Sequence, residues 1–239
     1  MKNSKIEWTD SSWNPTTGCT KVSEGCRNCY AEKLSLRLKS MGAEKYANGF
    51  KLTLHPEAIT LPLQWKEPKK IFVNSMSDLF HKDVPFDFID KVWNVMLEAD
   101  WHIYQILTKR PERMLEYLER RWGNRESNTS KHIWLGTSVE DSRVKNRIDI
   151  LRNIPAGIRF ISFEPLIGDV GELDLTNIHW AIVGGESGKN HRLIKEEWIQ
   201  NILKQCREQK VAFFFKQWGG FTPKSGGRLL NGMTYDEYP

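Results

Sequence analysis

The stretch His102-Ile103-Tyr104-Gln105-Ile106-Leu107, then Thr108-Lys109-Arg110, then Pro111-Glu112-Arg113-Met114-Leu115-Glu116-Tyr117-Leu118, decides the fold. Its first six residues form a short run rich in β-branched and aromatic side chains, which reads as a buried strand. Pro111 stands where a first helical residue belongs, because its missing N–H costs a helix nothing there. Met114, Leu115 and Leu118 recur at helical spacing and predict the covered face. The polar residues between them make the turn of one βα unit.

The same unit recurs along the chain. Ile71-Phe72-Val73 precedes Asn74-Ser75-Met76-Ser77-Asp78 and a helix striped by Phe88, Val92, Val95, Met96 and Ala99. Ile133-Trp134-Leu135 precedes Gly136-Thr137-Ser138-Val139-Glu140-Asp141 and a helix with Val144, Ile148 and Leu151. The run from Ile158 to Phe163 ends in Glu164-Pro165-Leu166, and Trp180-Ala181-Ile182-Val183 ends in Gly184-Gly185-Glu186-Ser187. Trp198, Ile199, Ile202, Leu203 and Cys206 stripe the next helix, and Val211 to Phe215 ends in Lys216-Gln217-Trp218. Six strands after Lys70, with a first one expected at Ile6-Glu7-Trp8, predict parallel βαβ packing. The expected fold is α/β, parallel strands in a barrel or an open sheet, with an N-terminal cysteine loop. Ligands of such sheets bind at the C-terminal ends of the strands, where these polar turns fall. One domain over 1–239 is expected, with 221–239 as an extension, since Pro223, Gly226, Gly227 and Gly232 interrupt any helix there.

Composition narrows the class. Hydrophobic residues at 39% supply a core, which excludes disordered and collagen-like chains. No apolar run approaches the ~20 residues of a membrane span, and Met1-Lys2-Asn3-Ser4-Lys5 opens no signal sequence. A cytoplasmic protein without membrane contact is expected. Four Cys in 239 residues are too few for a disulfide framework. A net charge of +5 and ten Trp suit a polyanionic, stackable partner, DNA or RNA, although most Trp are expected in or under the core.

The cysteines are concentrated in Asn14-Pro15-Thr16-Thr17-Gly18-Cys19-Thr20-Lys21-Val22-Ser23-Glu24-Gly25-Cys26-Arg27-Asn28-Cys29-Tyr30-Ala31. Cys19, Cys26 and Cys29 stand at C-x6-C-x2-C, before a helix carrying Leu34 and Leu38. Thiolates are soft ligands that select zinc or iron–sulfur clusters. Structural zinc closes with four protein ligands. Cys206 falls on an apolar helix face and reads as core, so zinc needs a histidine such as His55 or His81. A redox pair at Cys26 and Cys29 leaves Cys19 without a role. Three thiolates on a [4Fe–4S] cluster leave one iron open to a small molecule.

These residues carry a resemblance. The cysteine loop in a chain of βα units resembles the radical S-adenosylmethionine superfamily. The loop together with Ser162-Phe163-Glu164-Pro165-Leu166, Gly184-Gly185-Glu186-Ser187 and Phe215-Lys216-Gln217-Trp218-Gly219 resembles a phage-associated three-cysteine-motif family over nearly the whole chain. The resemblance implies a partial or irregular (β/α) TIM-like barrel and a [4Fe–4S] cluster on Cys19, Cys26 and Cys29, with S-adenosylmethionine bound at its open iron and cleaved reductively to a 5′-deoxyadenosyl radical. The superfamily's usual first gap is three residues, and an aromatic residue usually precedes its third Cys. Here the gap is six and that residue is Asn28, with Tyr30 as a substitute adenine contact.

The expected cofactor contacts are Tyr30, Asn74, Ser75, Ser77, Asp78, Thr108, Lys109, Thr137, Ser138, Glu140, Gly184 and Gly185, all in the loop or at strand ends. Asp78 or Ser75 offers oxygen to an ammonium, and Gly184 and Gly185 allow close backbone approach. Glu164, Lys216 and Glu186 are the expected catalytic groups. Pro165 is expected to hold Glu164 extended, and Asp141 to start a helix. The expected function is modification or repair of a nucleic acid or nucleotide, with an external electron donor and, given the small size, a partner protein from a neighbouring gene. The alternative is a non-catalytic iron–sulfur or zinc protein that binds nucleic acid or serves phage–host interaction. A metal-free hydrolase using Glu164 and Glu140 leaves the cysteines unexplained.

Overall fold

All six apolar runs after Lys70 form strands. The computed structural model describes residues 4, 6–123 and 130–239. Residues 1–3 and 5, in the stretch read above as carrying no signal sequence, lie outside them. The chain divides into two compact units, one of 1–21, 29–135 and 155–157, the other of 22–28, 136–154 and 158–239.

In the first unit, β1 (Ser11–Trp13) pairs in parallel with β4 (Lys70–Val73), and β4 with β5 (Ile103–Thr108). Ile71 lies opposite Ser11 on one side and Tyr104 on the other. A short antiparallel pair, β2 (Thr16–Thr17) and β3 (Thr53–Leu54), follows β1 in sequence. The first strand therefore lies at Ser11–Trp13 and not at Ile6-Glu7-Trp8, whose last two residues form a turn. Helix α2 (Phe86–Glu98) buries Phe88, Ile89, Val92, Trp93, Val95 and Met96, and α3 (Pro111–Trp122) starts on Pro111 as expected. Leu115 is only half-buried, and Tyr117 joins the covered stripe. Helix α1 (Tyr30–Ser40) departs from its predicted face. It buries the small residues Ala31 and Ser35, one turn apart, while Leu34 is exposed and Leu38 half-buried.

In the second unit, β7 (Ile158–Phe163), β8 (Trp180–Gly184) and β9 (Ala212–Gln217) pair in parallel, with Phe163 opposite Val183 and Val183 opposite Phe215. Strand β6 (Ile133–Ser138) has residues in both units, and the sheet order is β1-β4-β5-β6-β7-β8-β9. This is an α/β fold of the partial TIM-like class. Strands β6 and β8 are buried along their whole length, as parallel strands covered on both faces are, which is why they read as continuous apolar runs. Helices α4 (Asn146–Arg152) and α5 (Glu196–Glu208) cover this part. Cys206 is fully buried on α5, and burial pushes its thiol up to about 12. No helix among the described residues is long and apolar enough to cross a membrane.

The segment after residue 220 forms no helix and packs along β9. Phe215 N donates to Tyr235 O at 2.9 Å, Trp180 Nε1 to Glu237 O at 2.7 Å, and the Tyr238 ring stacks on Trp180 at 5.1 Å. Gly136, inside β6, has no room for a side chain, since a Cβ there would stand 2.6 Å from the Phe160 ring. Gly136→Ala is expected to destabilise the protein by about 1–3 kcal/mol through overpacking. Thermal unfolding followed by circular dichroism checks this, and an unchanged midpoint would contradict the packing described.

Candidate metal centre

The residues leading to Cys19 are laced onto the turn after β4. Asn14 Oδ1 accepts from Met76 N at 3.0 Å, and Thr16 Oγ1 lies 2.6 Å from Ser77 Oγ. Asn74 Nδ2 donates to Thr16 Oγ1 at 3.0 Å, and Gly18 N to Met76 O at 3.0 Å. The Tyr30 hydroxyl donates to Ser75 O. Gly18 has φ +79°, and a Cβ on it would meet Lys51 O at 2.3 Å, so only glycine fits just before Cys19. Asn74 also has positive φ, at 63°, which asparagine tolerates better than most residues.

Arg110, just after β5, is the hub of this half. Its Nη1 stands 3.6 Å from Cys19 Sγ and donates to Asp78 Oδ2 at 3.0 Å, while Nη2 donates to Thr20 O at 3.0 Å. Asp78 also accepts from Phe80 N at 3.0 Å, Thr108 Oγ1 at 2.7 Å and Lys109 N at 3.1 Å. A carboxylate has about four acceptor sites, and those four donors fill them. The expected offer of Asp78 to an ammonium is thus taken up by the chain itself. His55 Nε2 lies 2.8 Å from Thr17 Oγ1, and His81 Nε2 lies 2.8 Å from Thr20 Oγ1. Burial pulls both imidazoles below their ordinary pKa, so at neutral pH they are uncharged pegs for the loop's hydroxyls.

The residues around Cys26 are held by two further acid–arginine pairs, both in the second unit. Past the end of β6, Glu140 Oε1 accepts from Ser23 Oγ at 2.9 Å and Oε2 from Arg147 Nη1 at 3.1 Å. A Cβ on Gly25 would stand 2.3 Å from Glu140 Cγ, so the turn closes over this carboxylate only as glycine. Past β8, Glu186 accepts from Arg192 Nε at 3.0 Å and Nη2 at 2.5 Å, and from Asn28 Nδ2 at 2.9 Å. Arg192 Nη2 also donates to Glu24 O at 3.0 Å. Asn28, the residue that departs from the superfamily's aromatic, is thus a tether of the loop. Asp141 caps the short helical turn 142–144 as expected, accepting from Arg143 N at 2.9 Å.

The remaining candidates lie at the ends of β6 to β9. Thr137 and Ser138 are buried in β6, and Ser138 O accepts from Arg147 Nη1 at 2.9 Å. Glu164 and Lys216 pair at 2.9 Å, with about a sixth and a fifth of each side chain exposed. The Glu164–Pro165 peptide is cis. Gly184 and Gly185 serve packing: a Cβ on the first would meet Glu164 Oε1 at 2.5 Å, and one on the second Trp218 O at 2.0 Å. Gln217 and Trp218 bond within the chain, Gln217 to Ser187 Oγ at 2.9 Å and Trp218 to Leu229 O at 2.8 Å.

The donor chemistry of the loop suits a cluster. Cys19, Cys26 and Cys29 are half-buried thiols outside any disulfide, and an arginine stands beside Cys19. Among the described residues, no three His, Cys, Asp or Glu side chains are grouped to hold a metal ion, and metal binding commonly organises its own ligands in such loops. Sequence reasoning missed the clamps Arg147, Arg192, Ser23 and Asn28. The one signal is for the two arginines, which stand seven residues after Glu140 and six after Glu186.

A family model described as "Protein of unknown function (DUF5131)" matches residues 3–239, and its description names neither phages nor a cysteine motif. No curated protein matches. The solved structure titled "Spore photoproduct lyase complexed with dinucleoside spore photoproduct" is similar at 12% identity, with a TM-score of 0.46 over 87% of this chain. The chain spans 63% of the length of that solved protein.

Burial raises the Glu186 pKa, but the hydrogen bonds from Arg192 and Asn28 outweigh it and hold the carboxyl below its ordinary value. A depressed folded pKa stabilises above the unfolded value, near 4.3, and that stability is lost as pH falls through the folded one. Glu186→Gln is expected to cost about 2 kcal/mol at pH 7, with the gap to the parent closing at acid pH. Urea unfolding at several pH values checks this, and a gap independent of pH would contradict it.

Proposed function

The chain belongs to the family described as a protein of unknown function (DUF5131), and from its own residues we propose that it is an iron–sulfur enzyme of the radical S-adenosylmethionine kind, acting on a nucleic acid or nucleotide. The observation that carries this reading is the care with which the cysteine loop is held. Asp78–Arg110 secures the residues next to Cys19, and Glu140–Arg147 and Glu186–Arg192 secure those around Cys26, all from the C-terminal ends of parallel strands. That end is where α/β sheets of this class place their ligands.

Cys19, Cys26 and Cys29 would hold a [4Fe–4S] cluster, and the chemistry it supplies when bound is one-electron reductive cleavage of S-adenosylmethionine. Three thiolates leave one iron for that cofactor. The electrons come from an external donor. The chain's own residues do the binding and orienting. Arg110 directs an N–H at Cys19 Sγ, the kind of donor that tunes a metal-bound sulfur. Asn74 Oδ1 is buried at the end of β4 and has no hydrogen-bond partner among the described residues, so it is an acceptor suited to the cofactor's ammonium or hydroxyls. Tyr30, Ser75, Ser77, Thr108 and Lys109 are further candidates for that contact. Glu164 and Lys216, paired and partly exposed at their strand ends, are the groups suited to touch substrate. Glu186 acts through Asn28 and Arg192 and is a positioning residue.

Chemical analysis after strictly anaerobic purification tests the proposal. About four iron and four sulfide per chain are expected, falling to near zero in Cys26→Ala. Added S-adenosylmethionine is expected to change the EPR signal of the reduced protein. One zinc and no iron would overturn the radical reading in favour of a zinc-bearing binding protein. A cluster indifferent to S-adenosylmethionine would make its role non-catalytic.

A further inference from the structure

Two basic loops of the second unit are joined at their roots. The segment after β8 and the segment after β9 continue the strand pairing beyond both strands: Gly220 N donates to Glu186 O at 3.0 Å and Gly188 N to Gly220 O at 2.8 Å. Residues 187–195 contain no Asp or Glu but carry Lys189, Arg192 and Lys195. Residues 209–235 also contain no Asp or Glu and carry Lys210, Lys216, Lys224 and Arg228. Four of these seven cations meet carboxylates, Arg192 with Glu186, Lys195 with Glu197, Lys216 with Glu164 and Arg228 with Asp236, and the exposed Lys189 and Lys224 add positive charge beyond those pairs.

The same lip carries apolar side chains in the open. Phe221 follows Gly220 directly and is 67% exposed, and Leu193 is 78% exposed. Phe221 is presented by a built turn. Trp218 N donates to Gly227 O at 3.0 Å, Thr222 N to Ser225 Oγ at 3.1 Å, and Gly227 N to Lys224 O at 3.2 Å. An ordered ring loses little further freedom when something stacks on it. Lys189 and Lys224 are both exposed in these segments.

Building on the reading that the substrate is nucleic acid, we infer that Phe221, Lys189 and Lys224 form a platform for an unpaired nucleotide strand, with a base stacked on Phe221 and phosphates against the two lysines. Charge complementarity selects a polyanion, and the exposed ring selects one whose flat apolar faces are accessible, which a duplex does not offer. An anionic membrane shares the charge preference. It is better met by an amphipathic helix than by a bonded turn with one aromatic ring.

Fluorescence anisotropy of the full-length, anaerobically purified protein with labelled single-stranded DNA and RNA of about 15 nucleotides tests this. Phe221→Ala is expected to weaken binding on the order of 10-fold, the loss of one stacked base, without changing the salt dependence. Lys189→Ala with Lys224→Ala is expected to weaken binding and lower the slope of log K against log salt by about 1.4, two single-strand phosphate contacts. All three side chains are exposed, so unfolding midpoints should hold and show that binding alone has changed. Lys33→Ala with Arg37→Ala, on the exposed face of α1, should leave affinity nearly unchanged. Tight binding indifferent to the lip variants would overturn the platform and leave the nucleic-acid reading standing. No binding to any oligonucleotide at low salt would overturn both. Capture by phosphatidylserine vesicles in place of oligonucleotides would assign the lip to a membrane and overturn the platform.

Discussion

A carboxylate buried at the end of a parallel strand must be paired, and this requirement organises the candidate site. Asp78, Glu140 and Glu186 follow β4, β6 and β8, and each is nearly inaccessible to solvent. An unpaired charge in that position costs several kcal/mol, whereas a hydrogen-bonded arginine offsets most of the desolvation. Arg110, Arg147 and Arg192 provide the offset. A guanidinium has five N–H groups and a carboxylate about four acceptor sites, so each pair has capacity left over. That capacity goes to the cysteine loop: Thr20 from Arg110, Ser23 to Glu140, Asn28 to Glu186, Glu24 from Arg192. The same atoms that make the acids tolerable in the interior fix the loop.

Glycine makes this holding possible at close range. The loop approaches backbone at Gly18 and a carboxylate stem at Gly25, and in both places a methyl group would stand 2.3 Å from its neighbour. The glycine before Cys26 is therefore a spatial requirement of the Glu140 clamp, and the one before Cys19 of the loop's approach to the backbone at Lys51. Gly184 and Gly185 answer a different need. They let Glu164 reach Lys216, and let the end of β8 lie against the backbone at Trp218.

The strands were legible because strands of a parallel sheet are covered on both faces and read as unbroken apolar runs. Where the covered residues are polar or small, legibility fails. Strand β1 is Ser-Ser-Trp, too polar and short to announce itself, and a neighbouring apolar pair at Ile6 and Trp8 drew the expectation instead. Helix α1 was read by its leucines, but it packs through Ala31 and Ser35, residues small enough to bring its backbone close. In the site, the residue types were legible and their engagements were not. A strand-end Glu or Asp reads as available for a ligand, and nothing in the linear order says that an arginine six, seven or thirty-two positions on will meet it.

That difference narrows where substrate chemistry can reside. Four donors satisfy Asp78, and Glu186 is enclosed by Arg192 and Asn28. Groups so satisfied cannot bind a ligand without giving up bonds that hold the cysteine loop, so a ligand recruiting them would weaken the framework it needs. Among the described residues, two kinds of polar capacity stand out at the strand ends. One is an unmet acceptor, Asn74 Oδ1, and the other is a partly exposed ion pair, Glu164 with Lys216. Burial thus separates two kinds of acid: those closed to solvent hold the loop, and Glu164, paired with Lys216, keeps a solvent-facing edge.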